Sequence, residues 1–160
     1  MDFEQRMQRA IQRGKQRQRA SAEEARRRAM TEEELKSLHS QYRLQLSEHI
    51  EQCMKQLVNH FPGFKLETIY GERGWGVAGS RDDFQVNERG QRTNSFSRLE
   101  ITVRPYSSYH VVDLQAKGTI RNKEVFSRRY FEELDAADLE TFKNLIDTWV
   151  LEYAELYAAS

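Results

Sequence analysis

The chain reads as an α+β fold: a long helix, an antiparallel meander of about five strands and a C-terminal helix. Both helices are expected on one sheet face, with a basic helical arm ahead of them. Three observations predict it. Large apolar residues recur every three or four positions from Leu35 to Phe61, they alternate in short runs between Phe64 and Tyr130, and helical spacing returns from Leu139 to Leu156.

The arm, residues 1–30, carries Phe3, Met7 and Ile11 at a spacing of four, with Arg6, Arg9 and Arg13 around them. Three such side chains contribute about 2 kcal/mol each when buried, whereas ordering more than ten residues costs about 1 kcal/mol per residue. A frayed arm that a partner orders is therefore expected. Gly14 and the run from Lys15 to Ala20 interrupt the stripe, and Ala22 to Met30 reads as a solvated helix or linker.

A single domain is expected over 31–160. Thr31 and Glu34 have capping-box spacing, so a helix should begin there. Leu35, Leu38, Tyr42, Leu46, Ile50, Cys53, Leu57 and Phe61 then mark one face until Pro62-Gly63 ends the run. A stripe this long, with Leu35, Tyr42 and Leu46 on a partly charged helix, raises the expectation of a coiled coil between copies.

Phe64 to Tyr70 and Trp75 to Ser80 read as a hairpin around Gly71 to Gly74. Arg81 to Ser95 offers only Phe84 and Val86 for burial and is expected to be a long loop or a short, poorly packed hairpin. A turn at Ser107-Ser108 would oppose Val103 to Val112, Ile101 to Leu114 and Leu99 to Ala116, all on one face. Near Asn122-Lys123, a three-residue loop that turns Phe126 and Tyr130 inward is preferred to a two-residue loop that exposes them. Asp135 and Asp138 favour the start of the last helix, whose stripe is Leu139, Phe142, Leu145, Ile146, Trp149, Tyr153 and Leu156.

Charge is distributed unevenly. Residues 1–30 hold nine Lys/Arg against four Asp/Glu, and residues 131–160 hold one against eight, although the whole chain sums to zero. Local patches steer partners more than the total does. A lone cysteine, Cys53, excludes an intramolecular disulfide, and no segment has the run of about 20 apolar residues that a membrane span requires. Phe3, Met7 and Ile11 do not form a secretory-type apolar core, so a cytoplasmic address is expected.

No motif points firmly to catalysis. Gly74 to Gly79 matches GxGxxG, but no helix pattern opens at the third glycine, so a tight hairpin is expected there. His49 and Cys53 stand one helical turn apart and could give a metal two ligands. His60, eleven residues from His49, lies about 16 Å further along a helix and cannot share the ion. No metal, cofactor or catalytic residue is therefore expected.

The expected function is a non-catalytic protein-interaction, adaptor or chaperone-like module, able to self-associate, with a protein partner or a second copy. One alternative is nucleic-acid or ribosome binding through Arg13, Lys15, Arg17, Arg19, Arg26, Arg27 and Arg28, whose charges could neutralise several phosphates. A second is a small-ligand binder or enzyme using residues 71–95 as a lid.

Overall fold

A computed structural model describes residues 2–28 and 30–160 of the chain. The chain divides into two compact units, Met1–Leu35 and Lys36–Ser160.

In the first unit, α1 (Phe3–Arg28) is continuous. Asp2 starts it by accepting a hydrogen bond from the Gln5 amide at 2.8 Å. The helix passes through Gly14 without a break, because one glycine costs only about 1 kcal/mol in a run of good helix formers. Phe3, Met7 and Ile11 are 72%, 42% and 52% exposed.

Helix α2 (Glu32–His60) begins as its cap spacing implies, with the Thr31 hydroxyl accepting from the Glu34 amide at 3.2 Å. Its stripe of Leu46, Ile50, Met54 and Leu57 is buried. The expected coiled coil is therefore corrected. Met54 reaches within van der Waals distance of Gly79 on the sheet, so the side chains that would form an interhelical seam are already spent on the core of the same protomer.

The sheet is a five-stranded antiparallel meander in the order β1 (Lys65–Ile69), β2 (Trp75–Val86), β3 (Arg92–Val103), β4 (Val111–Ile120), β5 (Lys123–Glu133). Of the two expectations for residues 81–95, the structure has the poorly packed hairpin and not the long loop. Pairing runs out to Val86 opposite Arg92, making a two-stranded extension on which Phe84 and Val86 stay exposed. The GxGxxG match lies in the β1–β2 turn and in β2 itself: a Cβ on Gly74 or Gly76 would collide with the carbonyl of Val103 or Ile101.

The β3–β4 register differs from the Ser107-Ser108 expectation by two residues, with Val103 opposite Leu114 and Ile101 opposite Ala116. A shift of two preserves the face, so Leu99, Ile101, Val103, Val112 and Leu114 are all buried together. The cause is the connection, residues 104–110, in which His110 adopts a positive φ of 54°. At β4–β5 the turn is Arg121-Asn122, both with positive φ, and a register shift at Gly118/Thr119 then sets Phe126 opposite Gly118. Phe126 points inward, as expected, but through a bulge rather than a three-residue loop. Tyr130 packs on the Phe142 ring at 5.3 Å.

Helix α3 (Leu139–Ala158) starts at Asp138, which accepts from the Glu140 amide and from the Thr141 hydroxyl. Gly79, Leu99, Gly118 and Phe126 form one cross-strand row, and cross-strand partners share a face. Met54 of α2 lies over Gly79 and Tyr153 of α3 over Gly118, so both helices cover the same side of the sheet. Three contacts then fix their direction. The Tyr42 hydroxyl donates to the Ala137 carbonyl at 2.9 Å, His49 meets Asp147 at 2.7 Å, and the Phe61 ring packs edge-on against Tyr157 at 4.9 Å. Since position advances together along α2 and α3, with Ala137 just before α3 and Phe61 just after α2, the two helices run side by side in parallel.

Among the described residues no helix is long and apolar enough to cross a membrane.

Candidate metal centre

Parallel packing brings together one flank of each helix. On α2, His49 and Cys53 are four residues apart and so about 40° apart around the axis, just beside the buried stripe. On α3, Asp147 follows the buried Ile146 and borders the stripe in the same way. The two flanks face each other across a groove of 590 Å³.

At one end of that groove three donors converge. The Nε2 of His49 lies 2.7 Å from Oδ1 of Asp147, the Cys53 Sγ lies 3.3 Å from the same oxygen, and Sγ and Nε2 are 3.6 Å apart. All three fall within 4.8 Å of one another. Zinc-type bond lengths in a tetrahedron give donor separations of about 3.6 Å for sulfur to nitrogen or oxygen and about 3.3 Å for nitrogen to oxygen. Both sulfur edges are close to that geometry. The nitrogen–oxygen edge is shorter because a proton bridges it, and Asp147, with 46% of its side chain exposed, has room to rotate.

The thiol belongs to this hydrogen-bonded arrangement. Burial, then its hydrogen bond to Asp147, then the charge of that carboxylate push the Cys53 pKa up to about 12. At neutral pH the thiol is protonated and donates to Asp147, which does not suit it as a free nucleophile. A divalent ion would take the position of the protons that the carboxylate now receives. Thiol, imidazole and carboxylate together are a borderline-soft donor set, suited to zinc-class ions rather than to the oxygen-preferring calcium or magnesium.

The sequence-derived residues are distributed as follows. The His49–Cys53 pair is as its spacing implies, but the third donor comes from α3. His60 lines the same groove on the same helix as His49, about 16 Å along it. His39 lies elsewhere, with its Nε2 3.2 Å from the Arg104 carbonyl and its ring edge-on to Tyr106. Arg13, Lys15, Arg17, Arg19 and Arg26 are exposed on α1, and the side chains of Arg27 and Arg28 lie outside the described residues. At about 100° per residue, Arg6, Arg9, Arg13 and Arg17 share an arc of about 80°, and Lys15, Arg19 and Arg26 form a second row.

Asp147 was beyond the reach of sequence reasoning, because its partners are 98 and 94 residues away. The available signal was a carboxylate beside the buried stripe of an amphipathic helix.

Comparison with known proteins returns no match among family models, curated proteins or solved structures.

Proposed function

We propose that the body of this protein binds a small ligand, and that the ligand is a zinc-class transition-metal ion held by His49, Cys53 and Asp147. The observation that carries this reading is the convergence of imidazole, thiol and carboxylate at one end of a groove, from two helices packed side by side on the sheet. Three protein donors leave a fourth position for water or an added ligand, as in zinc sites that exchange ligands rather than in closed structural ones.

Cobalt titration of the full chain tests it. Thiolate ligation should produce a sulfur-to-cobalt charge-transfer band that saturates at one ion per chain. Cys53→Ser should abolish the band, and Asp147→Asn or His49→Gln should weaken binding by at least tenfold. A spectrum that never departs from aqueous cobalt, or that Cys53→Ser leaves intact, rejects the reading.

A second reading concerns α1, on the observation that its basic residues line up in two rows on an exposed helix. It is nucleic-acid binding through Arg13, Lys15, Arg17, Arg19 and Arg26, with Arg27 and Arg28 next in the chain. Such binding should weaken steeply between about 50 and 200 mM salt. Deleting residues 1–30 should abolish it in a gel-shift assay, and affinity that survives the deletion would exclude this role.

A further inference from the structure

The groove continues beyond the three donors, and its character changes along its length. From Cys53 the α2 wall proceeds through Leu57 to Phe61, and from Asp147 the α3 wall proceeds through Leu151 to Ala154. Because the helices are parallel, both walls run away from the donors in the same direction. The eight residues from Cys53 to Phe61, just past the end of α2, give a channel of about 12 Å at helical rise. Phe61, at the far end of the lining, packs edge-on against Tyr157.

One end is therefore a site for an ion, and beyond it Leu57, Phe61, Val150, Leu151 and Ala154 form an apolar strip bordered by Gln52, Gln56 and His60. Leu151 is 69% exposed on this wall, a large side chain facing solvent with no packing role in the core. A volume of 590 Å³ lies within the range of about 300–1,000 Å³ typical of small-molecule sites. Among the described residues no lysine or arginine lines the groove; its polar groups outside the donor set are Gln52, Gln56 and His60. With no Lys or Arg beside it, an anionic head group is best neutralised at the ion itself. A ligand with a second charge in its tail would lose hydration against Leu57, Leu151 and Ala154, with only the His60 side chain near them to offset it.

Resting on the metal reading above, we infer that the fourth coordination position takes a small apolar-tailed monoanion, a medium-chain monocarboxylate. Its carboxylate occupies the open position on the ion, and its alkyl chain lies along the groove between α2 and α3. The amides of Gln52 and Gln56 are the groups available to hydrogen-bond the carboxylate oxygen that does not face the ion.

The test uses the full chain loaded with cobalt, whose ligand-field bands report changes at the fourth position, titrated with octanoate and with acetate. Octanoate should perturb the bands at a concentration at least tenfold below acetate, since the two differ only in methylenes that the groove can cover. Leu151→Gln should raise the octanoate concentration required by at least threefold, and Ala154→Leu, which narrows the channel, should do so more strongly. Neither variant should alter cobalt affinity or the acetate response.

The outcomes separate the two readings. Bound cobalt with equal responses to octanoate and acetate, or an octanoate preference unmoved by both variants, overturns the monocarboxylate inference and leaves the metal centre standing. A chain that takes up no cobalt overturns both.

Discussion

Helices α1 and α2 are similar in length, 26 and 29 residues, yet different forces hold them. Every described side chain of α1 is exposed, including its three large apolar ones, so its order comes from helix propensity and from the Asp2 cap. Helix α2 has Leu46, Ile50 and Met54 at 0% exposure. Burial supplies far more free energy per residue than propensity, and it also fixes which side of the helix faces outward. That second consequence allows α2 to aim His49 and Cys53 at α3. The arm has rows of charge on a helix whose described side chains are all exposed.

The largest expected effect separates the two helices directly. Ile50→Ala removes a fully buried side chain and should cost about 2–5 kcal/mol in urea unfolding. Ile11→Ala, at a half-exposed site, should change the same transition by less than about 0.5 kcal/mol. If Ile11→Ala were as costly as Ile50→Ala, the contrast between the helices would collapse.

A smaller effect concerns the only buried histidine of α2. His39 is 3% exposed, and its pKa is held below 6.5 chiefly by burial; the hydrogen bond with the Arg104 carbonyl opposes this and the charge of Arg43 adds to it. A base whose pKa is lower in the folded state binds fewer protons there than in the unfolded chain. Its contribution is therefore fully present above 6.5 and is lost as pH falls through the folded-state value. Urea midpoints measured from about pH 8 to pH 5 should decline more steeply for the natural chain than for His39→Gln. Equal slopes would assign the acid sensitivity to other groups.

Much of this architecture was legible because it is written locally. The Thr31–Glu34 spacing gave the start of α2, Pro62-Gly63 gave its end, and the alternation from Leu99 to Val103 gave the buried face of β3. What sequence reasoning missed depends on geometry between elements. The β3–β4 register turned on the path of residues 104–110, where His110 takes a left-handed conformation that no strand pattern announces. The inward turn of Phe126 depended on a bulge two residues into β5. At the candidate site, the i,i+4 spacing revealed His49 and Cys53 as a pair. Asp147 joins them only because α2 and α3 run parallel, a fact settled by how both helices pack on a sheet that lies between them in the chain. The coiled-coil expectation failed for a related reason, since a long apolar stripe does not say whether it will meet another helix or a sheet.

The smallest effect probes the arm alone. Gly14 sits in the interior of α1 with ordinary helical backbone, and a Cβ added there would meet nothing within 4 Å. Gly14→Ala should therefore stabilise the helix by about 1 kcal/mol, through reduced freedom of the unfolded chain and without steric cost. Circular dichroism and amide exchange should report a more persistent α1, while the urea midpoint of the body stays unchanged. A midpoint that rose in step with arm helicity would mean that the two units unfold together, and α1 would then owe its order to more than its own propensity. If the substitution raised helicity but weakened nucleic-acid binding, Gly14 would mark a place where a partner approaches the helix too closely for a side chain. If binding strengthened instead, the arm's affinity would be limited by the entropy of ordering it, the result that propensity-held order predicts.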